Sequence, residues 1–369
     1  MYKLKIYILA TLIISCPAFS QEENPIKVFG YFQNSFGQVT HDDHRNYNTF
    51  NMQQLNILLQ KDLLEDWTAF INFQAVNNFS AERQWGSYSI EEAWLRYRFD
   101  NHLNIKLGLQ IPVFNRLNEI KNRTPLLPYV IIPLVYEDSF SKEVDIESYI
   151  PKRAYAQVYG FYPFFEDFKL DYAVYMGNSP NISTWGDAGN SGQDTTDTFL
   201  SGGRIGIRYS GLKAGFSYTS DQVLNFASEI SDIDPPSREL LKRKFIHRER
   251  IGFDFYYEIG DWNLAAEYID VLYDDDNVIF DLDKRFYYGT IGYEINDELF
   301  SYFSYWFVKE KFEPFGWFNF KVLTPGLAYN INEIITLKVQ YARILFKSAG
   351  ALNPNADFSY YTAAVSVYF

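Results

Sequence analysis

Runs of about ten residues in which apolar and polar side chains alternate recur along the whole chain. The connections between them are short, then long, then short again. Leu103, Ile105, Leu107 and Leu109 alternate with Asn104, Lys106, Gly108 and Gln110. Leu212, Ala214, Phe216 and Tyr218 alternate with Lys213, Gly215, Ser217 and Thr219, and Ile335, Leu337, Val339 and Tyr341 with Thr336, Lys338 and Gln340. The pattern predicts strands at 26–37, 50–60, 67–77, 88–99, 103–110, 154–162, 168–176, 199–210, 212–220, 246–257, 262–273, 285–294, 299–309, 318–329, 334–345 and 358–369. Polar turns capped by Asp, Asn or Gly fall at 61–66, 100–102, 164–167, 210–211, 258–261, 295–298 and 330–333. Longer connections fill 38–49, 78–87, 111–153, 177–198, 221–245, 274–284, 310–317 and 346–357. The first, sixth and thirteenth runs are aromatic on both faces, and alternation alone gives them no direction.

A soluble sandwich has no reason to obey this long–short rule. An even number of antiparallel strands of about ten residues, joined by short turns at one end and long loops at the other, is the pattern of an outer-membrane barrel. Lipid cannot satisfy backbone N–H and C=O groups, so a sheet survives there only when closed on itself. Sixteen strands enclose water rather than a packed core. Arg96, Arg98, Lys106 and Arg208 can therefore sit in strands whose other face is apolar. The reading is all-β: a 16-stranded antiparallel transmembrane β-barrel, in the outer membrane of a Gram-negative bacterium.

Composition agrees. Aromatic residues make up 19% and favour pleated, half-buried surfaces and interfacial girdles. Hydrophobic residues make up 47%, yet mean hydropathy is −0.23, and no stretch approaches the roughly eighteen apolar residues of a transmembrane helix. The net charge of −13 argues against nucleic acid as a partner, which a basic face would bind. Residues 1–20 carry Lys3 and Lys5, an apolar core and Ala18-Phe19-Ser20, the form of a cleaved signal peptide. An alternative makes Cys16 a lipidation site, although Pro17 follows it directly. The expected mature unit is 21–369, a single barrel domain without cysteine.

Residues 111–153 stand apart. This connection opens basic (Arg116, Lys121 and Arg123, with Glu119), becomes apolar (Leu126 to Val135) and then turns acidic (Glu137, Asp138, Glu143, Asp145 and Glu147). A loop this apolar is not expected to hang free in water, so it is expected to fold into the barrel and narrow the lumen. Its two charged halves either face each other across the aperture, or the acidic half pairs with Lys142, Lys152 and Arg153 and anchors the loop.

Glu92-Ala93-Trp94-Leu95-Arg96-Tyr97, followed by Leu107-Gly108-Leu109-Gln110-Ile111-Pro112-Val113-Phe114, resembles the hairpin that leads into the third loop of the phosphate-selective porin O and P family. In the final strand Tyr361, Ala363, Val365, Val367 and the terminal Phe369 share one face, which is similar to the C-terminal signal read by the barrel assembly machinery. The resemblance implies a homotrimeric, sixteen-stranded diffusion channel with a third-loop constriction and, in the namesakes, a cationic ladder for phosphate. This chain departs in its acidity and in lacking a comparable run of arginines.

The strands that can be oriented place Arg96, Arg98, Lys106, Lys169, Arg204, Arg208, Lys213, Arg250 and Lys338 inward as pore-lining cations, against Glu92, Asp171, Asp254 and Glu267. The remaining acid, notably Asp270–Asp276, Asp281 and Asp283, is assigned to loops. A wall with this excess favours anions; the alternative is that its charges pair across strands and merely keep the lumen wet. Two clusters, His41-Asp42-Asp43-His44 and Asp274-Asp275-Asp276, have ligand-like spacing but read as solvated loops, so no metal or cofactor is expected. No nucleotide-binding glycine loop, nucleophile elbow or convincing His–Ser pair points to an enzyme. The expected function is passive diffusion of small hydrophilic solutes, favouring anions such as phosphate. The alternative is a non-conducting barrel that serves as a surface interaction platform.

Overall fold

The computed structural model describes residues 25–41, 46–77, 86–137, 149–165, 167–179, 194, 196–224, 245–274, 281–313, 316–350 and 356–369. The signal-peptide and lipidation readings, Asp42, Asp43 and His44, Asp138, Lys142, Glu143, Asp145 and Glu147, and Asp275 and Asp276 lie outside them.

Sixteen strands are present: β1 (Lys27–His41), β2 (Tyr47–Leu64), β3 (Trp67–Asn77), β4 (Ser87–Arg98), β5 (Asn104–Gln110), β6 (Ala154–Pro163), β7 (Phe168–Gly177) and β8 (Leu200–Tyr209). They continue as β9 (Leu212–Leu224), β10 (Phe245–Ile259), β11 (Trp262–Tyr273), β12 (Asp281–Glu294), β13 (Leu299–Glu313), β14 (Gly316–Asn330), β15 (Ile335–Gly350) and β16 (Ala356–Tyr368). Each pairs antiparallel with its neighbours in sequence, and β1 pairs with β16 from Tyr31↔Tyr368 to His41↔Phe358, so no edge remains. The backbone N–H groups of Gly30 and Phe369 donate to each other's carbonyls at 2.8 and 2.9 Å, which locks the seam at its short-turn end.

The outer face is what lipid requires. Phe73, Val174, Ile205, Phe253, Phe303, Leu327 and Val339 are all exposed there, a contiguous apolar surface that water would penalise. Aromatic pairs ring both borders, with Trp67–Tyr97 and Trp262–Tyr293 near the short turns and Phe36–Phe50 and Tyr287–Phe307 toward the long-loop end.

Two expectations need correction. Several long connections are largely strand: those after β1, β13 and β15 shrink to 42–46, 314–315 and 351–355. The strands simply continue past the lipid. Asp270, Asp281 and Asp283 are accordingly not loop acids but strand residues; Asp270 and Asp283 face outward in β11 and β12 and pair with Arg285 (3.1 Å) and Lys309 (2.6 Å). Counting from the short turns, Arg285, Lys309 and Lys321 stand at about the tenth residue of their strands, the length that crosses the hydrocarbon. Outward charge therefore begins where lipid ends.

Candidate functional site

The segment between β5 and β6 crosses the lumen. Gly108 has φ of +114°, and a Cβ there would stand 2.3 Å from the Ala93 carbonyl, so β5 can turn inward only with glycine at this place. Asn115 follows in a left-handed conformation (φ 52°) and opens a short helix, α1 (Asn115–Ile120). Its backbone N–H donates to Ser217 Oγ on β9 at 3.0 Å, and Leu117 N–H donates to Glu267 Oε1 on β11 at 2.7 Å. Gly252 on β10 makes room, because a Cβ there would come within 2.3 Å of Asn115 Oδ1.

Few residues later the chain reaches the far wall. Tyr31 Oη on β1 donates to the Asn122 carbonyl at 2.7 Å, and Gln54 Nε2 on β2 donates to the same oxygen. A β-bulge leaves Gln53 as an extra residue between Gln54, which pairs with Gln33, and Met52, which pairs with Asn34. The bulge turns two successive glutamines into the lumen. Gln53 and Gln33 then both donate to the Val130 carbonyl, at 2.6 and 2.9 Å. Strands β1 and β9 stand on opposite sides of a sixteen-membered ring. A segment touching both spans the lumen.

Beyond this point the loop lies on a dry wall. Val130, Val135, Tyr149 and Ile150 are wholly buried against Ile269, Phe286, Trp306, Val308 and Val322, inward residues of β11–β14. The polar groups on this side serve the loop backbone. Gln340 Oε1 accepts from Val130 and Ile131 N–H at 2.8 and 2.9 Å, and Tyr136 Oη donates to Glu267 Oε2. Burial pushes the Tyr129 and Tyr136 phenols above the usual tyrosine range.

The other side of the loop borders open space. A cavity of about 1350 Å³ runs between Arg116, Ile120, Arg123 and Leu126 of the loop and Tyr31, Phe70, Trp94, Arg96, Lys106, Tyr159 and Tyr256 of the wall, and opens past Asp297, Glu298 and Glu333 at the short turns. Arg116 lies 3.6 Å over the Tyr256 ring, and Arg96 donates to Thr68 Oγ1 at 3.0 Å. Glu119 and Arg123 are exposed. Arg204 crosses Gly206 and Gly215, where any side chain would strike its guanidinium, to meet Asp254 at 2.8 and 2.6 Å. Arg208 forms a two-pronged pair with Asp171 beside Lys169, and both cations lie 5.5 Å from the Phe161 ring centroid. Arg98 is exposed at the short-turn end, on Asn101 at 2.6 Å.

Not every inward cation meets this space. Arg250 is fully buried with Arg248 around Asp221, at 3.1 Å and 2.7 Å. Lys338, 2% exposed, directs its Nζ to Gln33 Oε1 and to the Thr124, Pro125 and Tyr129 carbonyls at 2.9–3.2 Å. It holds the loop from behind. In the loop itself Lys121 is buried, and Glu137 is turned inward, accepting from Ile132 N–H at 3.3 Å and Gln53 Nε2 at 3.5 Å. The docking residues Gln33, Gln53, Gln54, Gln340 and Glu267 carried no sign of this role in the sequence beyond being polar and, for most, inward.

Solved structures share this fold at low sequence identity. The anion-selective porin from Comamonas acidovorans aligns with a TM-score of 0.59 and 12% identity over 94% of this chain and 100% of its own. The outer-membrane channel DcaP of Acinetobacter baumannii gives 0.61 and 12% over 95% and 99%. OmpT, an outer membrane protein of Vibrio cholerae, gives 0.55 and 10% over 94% and 99% in its trimer form. No curated protein matches the chain in sequence. The model of the Gram-negative porin family matches residues 8–349, and the chain belongs to that family, in the outer membrane.

Proposed function

We propose that this porin is a passive diffusion channel for small hydrophilic solutes, that residues 111–153 form its constriction, and that the passage favours anions. The observation that carries the preference is the charge at the waist: Arg96, Lys106, Arg116 and Arg123 line the cavity, against Glu92 beside them, Glu91 accepting from Asn122 Nδ2 at 3.0 Å and Glu119 at the exposed margin of the loop, while Glu294, Asp297, Glu298 and Glu333 line its mouth. Glu92 already accepts from Trp94 Nε1 at 3.1 Å. Fixed charge at close quarters concentrates the opposite sign. Phosphate enters this reading as one small anion among others, because Arg204 and Arg208 are engaged by Asp254 and Asp171 and leave no continuous ladder. Homotrimers, and assembly through the strand ending in Phe369, are part of the same proposal. The catalysis of lipid chemistry is not.

The span of the loop from β9 to β1 supports a second reading, a plugged barrel that serves as a surface platform. Planar-bilayer recording separates the two. The channel reading expects stepwise conductance and, across a KCl gradient, a reversal potential displaced toward the chloride equilibrium potential. A silent reconstituted barrel rejects the channel, and displacement toward potassium rejects the anion preference.

A further inference from the structure

The charge on the outer wall is unevenly spread around the barrel. At the level where the strands leave the hydrocarbon, β10 and β11 present acids outward, Glu249 and Asp270. On β13–β15 the same level is basic. Lys309 and Lys347 stand on either side of Asn319 on one rung of the sheet, and Lys321, two residues along β14, lies diagonal to both. Diagonal neighbours of this kind are about 7–8 Å apart, within the reach of long side chains. The acids nearby are already engaged: Asp283 pairs with Lys309 at 2.6 Å, and Asp357 with Arg343 at 3.5 Å. Lys321 and Lys347 form no ion pair among the described residues, although the chain carries a net charge of −13. On the next rungs toward the short turns the outward residues beside them are Phe307, Leu323 and Leu345.

We infer that the outward face of β13–β15 holds a phosphorylated lipid of the outer leaflet, with its phosphate on the Lys321 and Lys347 ammonium groups and its acyl chains against Phe307, Leu323 and Leu345. Long loops of such barrels face the outside of the cell, so these lysines stand in the headgroup layer of that leaflet. Two unpaired ammonium groups on neighbouring strands repel each other, and an anion shared between them removes that cost. Other ligands use only half of the surface. Free phosphate gains nothing from the apolar side chains, and a lipid without phosphate gains nothing from the lysines. A phosphorylated lipid uses both. The outer wall would hold such a lipid whether or not the lumen conducts.

The test is native mass spectrometry of the full chain in detergent, with bisphosphorylated lipid A as the probe and the same lipid stripped of its phosphates as the comparison. Each lysine at a charged lipid surface is worth about fivefold in affinity, so Lys321→Gln/Lys347→Gln is expected to weaken binding of the phosphorylated lipid about twentyfold. Lys347→Gln alone, at an exposed side chain, is expected to cost about fivefold. Lys321→Arg/Lys347→Arg keeps the charge and should bind within about threefold of the unaltered protein, as should Lys27→Gln at the opposite end of the barrel. Affinity within about threefold in the double Gln variant overturns the inference. So does equal affinity for the phosphate-free lipid, or an equal loss in the Arg and Gln pairs. Inorganic phosphate in excess should leave the lipid in place; displacement would make this a site for the free anion and overturn the lipid assignment.

Discussion

Lys106 and Lys338 occupy equivalent inward positions in alternating strands, but only one should govern selectivity. Lys106 stands half-buried at the cavity, whereas Lys338 is sealed behind the loop with four oxygens around its ammonium. For an ion passing ~6 Å from the Lys106 ammonium in water, the interaction is about 0.7 kcal/mol. At 0.1 M salt, where the Debye length is about 10 Å, about 0.4 kcal/mol remains. The same field attracts an anion and repels a cation, so the anion-to-cation permeability ratio carries the term twice. Lys106→Gln is therefore expected to lower that ratio about fourfold at 0.1 M KCl, and by less than about 1.5-fold at 1 M, where screening acts within about 3 Å. Lys338→Gln lies farther from the ion path, and the dipoles of its own oxygens oppose its field. Its effect on the ratio should be less than half that of Lys106→Gln, while the carbonyls of Thr124, Pro125 and Tyr129 lose a buried donor at ~1–3 kcal/mol each. The loop should loosen, and open-channel current noise should rise. Reversal potentials in KCl gradients at the two ionic strengths, with noise spectra from the same traces, read both outcomes. An equal or larger shift from Lys338→Gln would mean that ions pass on the other side of the loop.

Two further perturbations address the docking of the loop. Gly252→Val would drive a side chain into Asn115 Oδ1 and against Phe114, so the root of the loop should lift from β10 and single-channel conductance should rise; Gly289→Ala, with nothing within 4 Å, is the matched control expected to leave it unchanged. The second is alkaline pH. Burial holds the Tyr129 and Tyr136 phenols above the usual range, so the undocked loop binds fewer protons once the pH passes about 10, and the docked state loses stability as pH rises further. Conductance should climb beyond pH 10, and that climb should shrink in Tyr129→Phe/Tyr136→Phe.

The strands were legible because lipid on one side and water on the other force period two, and each of the sixteen expected runs overlaps a strand. Their outer ends were less so. Once a strand has left the hydrocarbon its outer face turns polar, as at Arg285 and Lys309, and the alternation that marked it disappears. The inner surface is hard to read for a related reason. Sixteen strands imply a wet lumen, but β13 presents Tyr302, Trp306 and Val308 inward and Phe303 outward, so both parities are apolar and no direction can be read. Lys338 and Arg250 looked like Lys106 because parity reports the face of a strand and not what is packed against it. The bulge at Gln53 removes even parity, since two neighbouring residues point the same way. The loop's apolar run did announce that it needed a dry surface. Which wall would supply it lay in contacts between residues far apart in sequence.

The arrangement of those contacts bears on what the loop can do. A gate needs a hinge and a free edge, so that one set of contacts can break while the other holds. Here the segment is fastened at separate places around the ring: to β9 and β11 through Asn115 and Leu117, to β1 and β2 through Asn122 and Val130, and to β15 through Gln340 and Lys338. Lifting the described stretches exposes wholly buried side chains such as Val130, Val135 or Ile150, each worth ~1.5–3 kcal/mol, and strands their backbone partners as well. Apolar packing on one side and hydrogen bonds on the others oppose the same displacement. On the channel reading proposed above, the loop acts as part of the wall, and ions are sorted by side chains at its free margin, Arg116, Glu119 and Arg123, against Arg96 and Lys106 across the gap.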